Sequence, residues 1–177
     1  MLTIIFESHG TTTDNEQHIS SGWKDVALSA LGEQQAKELG ERYKDVHLDA
    51  VFCSDLQRSY KTAEIAFAGL TMPIIQDSRL RECNYGDLEG HSSSDVDPEK
   101  VKHVSIPFPG GESYEQTSVR MKAFLDYVAS KHTDQTIMVI GHRATQYGLE
   151  HWIKGVPVRD CITAPWKWQP GWRYEVT

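Results

Sequence analysis

Two histidines stand directly after short apolar runs, where a chain can present a reactive side chain. His9 follows the run at residues 2–6, and His142 follows the run at residues 137–140. A neutral imidazole is available near pH 7 as a nucleophile or a proton carrier. Arg58 adds a planar guanidinium that can grip two oxygens of an anion at once. Because eight histidines in 177 residues will place some at turns by chance, the fold must show whether these three meet.

Short strands alternate with capped helices along the chain. Runs of β-branched and aromatic residues predict four strands, at residues 2–6, 50–53, 73–75 and 137–140. Capping patterns and apolar periodicity predict helices after Ser29, after the pattern Ser54-Asp55-Leu56-Gln57, after Ser113-Tyr114-Glu115-Gln116, and over residues 144–153. The first and third of these helices are expected to turn Leu31 and Val119 inward.

This alternation predicts an α/β fold, a three-layer αβα sandwich with a mostly parallel central sheet, in a single domain over residues 1–177. In such sheets, ligands bind beyond the carboxyl ends of the strands. His9, segment 54–58 and His142 all fall at that edge, so we expect three separate turns to converge there.

The charge balance argues against a polyanionic partner. With 18 Lys and Arg against 25 Asp and Glu, the net charge is −7, so no global basic field attracts nucleic acid or an anionic membrane. No apolar run approaches the ~20 residues of a membrane span, and the first residues lack the features of a secretory signal. Three well-separated cysteines fit neither a disulfide framework nor a zinc motif and are expected to be buried thiols. We expect a cytoplasmic protein.

Six local patterns follow one another in order. They are Ser8-His9-Gly10-Thr11-Thr12-Thr13-Asp14-Asn15; Gly22-Trp23-Lys24-Asp25 with Leu28, Ser29, Gly32, Gln35 and Ala36; Ser54-Asp55-Leu56-Gln57-Arg58 with Thr62; Leu80-Arg81-Glu82-Cys83-Asn84-Tyr85-Gly86 with Glu89 and Gly90; Pro109-Gly110-Gly111-Glu112-Ser113 with Arg120; and Gly141-His142. In this order they resemble the motifs of the histidine phosphatase superfamily, the phosphoglycerate mutase-like proteins. The resemblance covers residues 4 to about 153.

The resemblance implies phosphoryl transfer through a phosphohistidine at His9, with Glu82 as the general acid that protonates the leaving alkoxide. Such transfer depends on positioning and on donors that neutralise the phosphoryl oxygens. Arg58, His142 and Asn15 are the expected donors. The remaining candidates in the phosphate-binding motifs are Gly10, Thr12 and Gly22, although Thr12 and Asn15 also suit a role in shaping the turn. The resemblance implies no metal ion and no organic cofactor, and the partner is a phosphorylated small molecule.

Ser8 departs from the family pattern, which has arginine at this position beside the nucleophile. The loss of one charge-assisted hydrogen bond costs ~1.5–3 kcal/mol, which corresponds to roughly 10- to 150-fold in rate. Arg143, directly after His142, and Arg81, beside Glu82, are candidates to supply the missing charge, with Arg143 favoured because it shares a strand end with His142. The alternative is that Arg143 points outward from the first turn of its helix.

The carboxyl-terminal part is rich in tryptophan and departs from the family pattern. Trp166 and Trp168 alternate before Pro170-Gly171, and Trp172 and Tyr174 alternate after it. This spacing predicts a terminal hairpin that packs its aromatic rings on one face. The alternative is an aromatic wall near the pocket, on which a substrate ring or sugar would stack.

Three functions remain open on these residues. The leading hypothesis is a histidine acid phosphatase-type hydrolase of a phosphomonoester. The second is a weakly active or non-catalytic protein that binds a phosphorylated ligand for regulation. The third is a phosphoglycerate mutase-type phosphotransferase, which the short chain disfavours. The motifs name neither the substrate nor the oligomeric state.

Overall fold

In the computed structural model, which describes residues 1–176, five strands and seven α-helices follow one another. The strands are β1 (Leu2–Ser8), β2 (Ala50–Cys53), β3 (Ile74–Gln76), β4 (Thr136–Gly141) and β5 (Trp172–Val176). The helices are α1 (Thr13–Glu16), α2 (Ala30–Tyr43), α3 (Gln57–Ala66), α4 (Ser93–Lys100), α5 (Tyr114–Lys131), α6 (Arg143–Lys154) and α7 (Val158–Thr163). Short 3₁₀ turns cover Ser78–Leu80, Gly86–Leu88 and Val101–His103. None of these helices is long and apolar enough to cross a membrane.

The strands form one sheet in the order β3-β2-β4-β1-β5. The pairs β1–β4, β2–β4 and β2–β3 are parallel, and only β5 is antiparallel to its neighbour β1. Parallel neighbours need crossover connections, and α2, α3 and α5 lie on the three stretches of chain that join consecutive parallel strands. The predicted α/β fold with a mostly parallel sheet is confirmed.

Helices cover both faces of the sheet because successive side chains of a strand point to opposite faces. On β1, Ile4 and Phe6 belong to a core with residues of α5 and α6, whereas Ile5 belongs to a core with residues of α2 and α3. The two cores give the three layers. The carboxyl ends of β1, β2 and β4 remain open at one edge.

Two of the three predicted caps are present. The Ser29 hydroxyl accepts from the Gly32 amide at 3.2 Å, and Ser113 forms a capping box with Gln116. The prediction for Ser54 is wrong, because α3 begins at Gln57 with Leu56 at the N-cap and without a side-chain cap. The prediction that Leu31 and Val119 face inward is also wrong. Leu31 and Val119 are 51% and 65% exposed, because the buried faces of their helices lie one residue or more away.

The predicted carboxyl-terminal hairpin is wrong. Residues 172–176 form a single strand that pairs with β1, with Trp172 opposite Phe6. The edge of β1 offers a row of unpaired backbone groups, while Pro165 and Pro170 cannot donate to a ladder of their own. Trp172 and Tyr174 still face inward with Phe6. All three cysteines are buried thiols, as expected.

Candidate active site

A cavity of about 730 Å³ opens at the carboxyl edge of the sheet. The candidate residues that line it are Ser8, His9, Gly10, Asn15, Gly22, Arg58, Glu82, His142 and Arg143. Two candidates, Thr12 and Arg81, are not part of its lining. The structure therefore brings together residues that stand up to 135 positions apart in sequence, from Ser8 to Arg143.

His9 follows β1 with its ring in a defined orientation. Its Nδ1 lies 2.7 Å from the carbonyl oxygen of Gly10. A carbonyl only accepts hydrogen bonds, so Nδ1 carries the proton and Nε2 keeps its lone pair. Burial, followed by the nearby charge of Arg58, lowers the pKa of His9 to about 3. The ring is thus neutral near pH 7, with Nε2 as the nucleophilic atom.

The loop after His9 is held by neighbouring helices. The Gly10 amide donates to the Thr62 hydroxyl at 3.0 Å, and the Thr11 amide donates to the Gln35 side chain at 2.8 Å. A Cβ at Gly10 would lie 2.5 Å from the carbonyl oxygen of Gly32, so only glycine permits this close approach to α2. Gly10 therefore positions the nucleophile, and its amide is already engaged by Thr62.

The second histidine packs against the first. The rings of His9 and His142 lie 4.9 Å apart, centre to centre. Nε2 of His142 lies 2.7 Å from the hydroxyl of Ser54, and no residue in the described range 1–176 contacts its buried Nδ1 by a hydrogen bond. Burial and the charge of Arg58 hold the pKa of His142 well below its usual value. Nδ1 is the ring nitrogen without a close hydrogen-bond partner among these residues.

Arg58 is buried at the start of α3 and is oriented by main-chain carbonyls. Its Nη2 donates to Gly22 at 2.6 Å and its Nη1 to Lys24 at 3.0 Å. Gly22 can turn its carbonyl this way because it adopts a left-handed conformation, with φ +55°. Among the described residues, Arg58 forms no ion pair with a carboxylate. Its charge is therefore available to an anion.

Arg143 is the second cavity guanidinium without a carboxylate partner within residues 1–176. It is exposed on the first turn of α6, and its guanidinium lies 4.7 Å from the centre of the Trp166 ring. Ser8 pairs in register with Gly141, two residues before it. Arg143 thus stands two residues beyond the end of β4, the strand that neighbours Ser8.

Arg81, the other candidate for the missing charge, is committed elsewhere. It forms a two-pronged ion pair with Asp55, at 2.7 and 2.6 Å, and lies over the ring of Trp23. Thr12 caps α1: its hydroxyl accepts from the main-chain amide of Asn15, and the side-chain Oδ1 of Asn15 accepts from the main-chain amide of Thr12. The structure gives Thr12 a structural task and leaves the Asn15 amino group at the cavity.

Glu82 is fixed at both its side chain and its main chain. Its Oε1 accepts from the amides of Cys83 at 2.8 Å and Ala144 at 3.3 Å. Its carbonyl oxygen accepts from the indole of Trp23 at 2.6 Å and from Arg120 at 2.8 Å. These contacts hold the carboxyl at the cavity wall, close to the amino end of α6.

Several positioning residues escaped sequence reasoning. Ser54 matched a helix cap, although its hydroxyl contacts His142, which is 88 residues away. Glu7 directly follows the apolar run at residues 2–6, and a charged residue next to a buried strand was the available signal. Its side chain is 1% exposed and pairs with Arg42 at 3.4 Å. Trp168 also lines the cavity, so the aromatic wall, the alternative for this part of the chain, is present.

The comparisons with known proteins point in one direction. The model of the histidine phosphatase superfamily (branch 1) matches residues 4–166. The chain is 30% identical over 155 residues to the uncharacterized phosphatase PhoE of Bacillus subtilis, covering 88% of this chain and 79% of that protein. It is 33% identical over 132 residues to the 2,3-bisphosphoglycerate-dependent phosphoglycerate mutase of Cytophaga hutchinsonii, covering 68% of this chain and 62% of the mutase.

The solved structure of YhfR from Bacillus stearothermophilus shares the fold over 100% of this chain and 92% of YhfR, with a TM-score of 0.88 and 28% identity. Because the family model spans the sheet edge that carries both histidines, Arg58 and Glu82, the chain belongs to the histidine phosphatase superfamily, branch 1.

Proposed function

We propose that the protein hydrolyses a phosphomonoester through a phosphohistidine intermediate at His9. The observation that carries this proposal is the bond between His9 Nδ1 and the Gly10 carbonyl at 2.7 Å, which leaves Nε2 as a neutral nucleophile inside the cavity. The charge of Arg58 near His9 and that of Arg143 in the cavity lining suit a phosphate dianion. The relatives include one named as a phosphatase and one named as a mutase, and both names imply phosphoryl transfer.

In the first step, Nε2 of His9 attacks phosphorus and the bond from phosphorus to the ester oxygen breaks. Glu82 gives its proton to the leaving alkoxide, which departs as an alcohol. Arg58, Arg143, Asn15 and Nδ1 of His142 are the groups proposed to hold the phosphoryl oxygens. These donors matter most because phosphoryl transfer depends on positioning and charge stabilisation.

In the second step, water attacks the phosphohistidine and returns one proton to the Glu82 carboxylate. The bond from phosphorus to Nε2 breaks, so neutral His9 and inorganic phosphate result. The proton balance closes because Glu82 loses a proton in the first step and regains it in the second. The proposal requires no metal ion and no cofactor, and we retain a cytoplasmic single-domain protein over residues 1–177 as part of it.

The test is the hydrolysis of 4-nitrophenyl phosphate by the wild type and by His9→Gln, with trapping of an acid-labile, base-stable phosphoprotein. We expect hydrolysis and trapping in the wild type and neither in the variant. His47→Gln is the matched control, because His47 is exposed and lies outside the cavity lining. Phosphate binding by the wild type without hydrolysis or trapping would favour the regulatory binding protein.

A mutase is the second candidate, because the Cytophaga hutchinsonii relative carries that name. In a mutase, the phosphohistidine passes its phosphoryl group to another hydroxyl instead of to water. Incubation with 3-phosphoglycerate and catalytic 2,3-bisphosphoglycerate separates the two. Formation of 2-phosphoglycerate faster than release of phosphate would replace the phosphatase proposal by the mutase.

A further inference from the structure

One side of the cavity is built from parts of the chain that the proposed chemistry does not use. Four residues of α2 recur at the three- and four-residue spacing of one helix face and all line the cavity: Gln35, Glu38, Leu39 and Arg42. Glu7 of β1 and Trp168 complete this side. We call these six residues the α2 wall.

The pairing of β5 with β1 brings Trp168 to this place. Trp172 lies opposite Phe6 in an antiparallel register, so the residues before Trp172 continue past the carboxyl end of β1, towards His9. Trp168 is 53% exposed, and the guanidinium of Arg42 lies 5.6 Å from its ring centre. The indole is therefore held at the cavity mouth while much of its surface stays open to a ligand.

Glu7 provides a buried acceptor with one oxygen unused. Its Oε1 accepts from the Tyr43 hydroxyl at 2.8 Å and from Arg42 at 3.4 Å. Oε2 of this carboxyl makes no close hydrogen bond with any residue within 1–176, and the side chain is 1% exposed. Burial raises the pKa of Glu7, while Tyr43, Arg42 and the Gly171 main chain oppose the rise. A buried acceptor without a partner is costly, and a ligand hydroxyl would satisfy it.

The remaining polar groups of the α2 wall complement hydroxyls as well. The Gln35 oxygen is occupied by the Thr11 amide, so its amino group is the part left to donate. Glu38 accepts, and Arg42 donates. With two carboxylates against one guanidinium, the wall carries a formal charge of −1, so it disfavours a second anionic group on the substrate.

We propose that the α2 wall binds the leaving group of the substrate and selects a neutral, polyhydroxylated ring, which makes the substrate class sugar monophosphates. A sugar ring packs its C–H face on the open indole of Trp168, and its hydroxyls reach Glu7, Gln35 and Glu38 at the ring edge. The cavity of about 730 Å³ lies within the ordinary size range of small-molecule sites. The inference rests on the proposed function, because it treats the ring as the leaving group of the reaction at His9.

The test compares kcat/KM for glucose 6-phosphate with kcat/KM for methyl phosphate, which has a similar alkoxide leaving group but no ring. We expect the wild type to favour glucose 6-phosphate by at least about 10-fold. In Trp168→Ala this ratio falls about 10-fold, and Trp168→Phe restores part of it. In Glu7→Gln, which keeps the shape but removes the charge of the acceptor, the ratio falls about 5-fold.

Trp152→Ala is the matched control, because Trp152 is 40% exposed and does not line the cavity. The ratio in this variant stays at the wild-type value. The inference is overturned when Trp168→Ala and Trp152→Ala give the same ratio, or when 3-phosphoglycerate, with its carboxylate, is a better substrate than glucose 6-phosphate. If Trp168→Ala lowers kcat/KM for 4-nitrophenyl phosphate alone, the inference is also overturned, because Trp168 then stacks on aryl groups and not on sugars.

Binding to the His9→Ala variant separates this inference from the proposed function. Calorimetry with glucose 6-phosphate and with inorganic phosphate needs no turnover. We expect glucose 6-phosphate to bind this variant at least about 10-fold more tightly than inorganic phosphate does, with the excess lost in His9→Ala/Trp168→Ala. Equal affinities of this variant for glucose 6-phosphate and inorganic phosphate overturn the sugar site, even when the wild type hydrolyses phosphomonoesters. Tight binding of glucose 6-phosphate without hydrolysis by the wild type overturns only the proposed function.

Discussion

The replacement of Arg143 tests how this chain manages without an arginine at position 8. Arg58 and Arg143 are the two cavity guanidiniums without a carboxylate partner among residues 1–176. A charge-assisted hydrogen bond to phosphate contributes about 1.5–3 kcal/mol. At 1.36 kcal/mol per decade, Arg143→Ala should weaken inhibition by inorganic phosphate and lower kcat/KM by roughly 10- to 150-fold.

The same change in a Ser8→Arg background should cost much less. Ser8 pairs with Gly141 in the sheet, so an arginine at position 8 starts beside the strand end that leads to Arg143. If both guanidiniums serve the same phosphate, Arg143→Ala costs less than about 5-fold once Ser8→Arg is present, a coupling of at least about 0.4–2 kcal/mol. Ser8→Arg alone should raise the activity of the parent.

The assay is competitive inhibition of 4-nitrophenyl phosphate hydrolysis by inorganic phosphate, for all four members of this cycle. Arg159→Ala is the matched control, because Arg159 is exposed on α7 and does not line the cavity. Melting temperatures check that each variant is folded. An unchanged inhibition constant in Arg143→Ala, or an equal loss in both backgrounds, would refute the reasoning.

Three further predictions concern the groups that hold the site in place. Ser54→Ala removes the hydroxyl that lies 2.7 Å from Nε2 of His142. The buried nitrogen left without a partner should lower the stability of the folded protein by about 1–3 kcal/mol, and kcat should fall with a change in the ¹⁵N spectrum of His142. An unchanged spectrum would contradict this prediction. Because the pKa of His9 lies at about 3 in the folded protein and near 6.5 when unfolded, the unfolded chain binds the extra proton between these values, so stability falls as the pH falls through that window. His9→Gln should reduce the slope of unfolding free energy against pH by about 1.4 kcal/mol per unit near pH 5, and ¹⁵N spectra should show no His9 titration between pH 5 and 8. Arg120→Met breaks the partly buried ion pair with Glu112 and removes the donor to the Glu82 carbonyl. The unfolding free energy should fall by about 3 kcal/mol, and kcat should fall as well. A loss of stability at constant kcat would show that Arg120 does not position Glu82 for catalysis.

The fold was predictable because its signals are local. Each of the four parallel strands is a short run of apolar residues, and alternation with helices leaves few alternatives to a mostly parallel sheet. The convergence of His9, segment 54–58 and His142 follows from the rule that all parallel strands end at one edge. The caps at Ser29 and Ser113 were likewise predictable, because their partners lie three residues away.

The errors arose where a distant partner competes with a local pattern. Ser54 has the spacing of a helix cap, yet its hydroxyl contacts His142, 88 residues along the chain. The carboxyl-terminal residues have the pattern of a hairpin, yet Trp172 pairs with Phe6 at the other end of the chain. Neither partner can be identified from spacing, because each depends on which strand edge or ring the fold leaves open.

The acidic balance of the chain bears on how a phosphate is held. With a net charge of −7, attraction of a dianion cannot come from the molecule as a whole. Two further cations line the cavity but are paired, Arg42 with Glu7 and Lys100 with Asp97. The two guanidiniums without carboxylates therefore carry the local attraction, and one of them, Arg143, stands two residues beyond the strand end that pairs with Ser8. This arrangement concentrates the attraction on the phosphoryl group itself, so discrimination among leaving groups falls to the α2 wall, through the Trp168 ring and the Glu7 and Glu38 carboxylates.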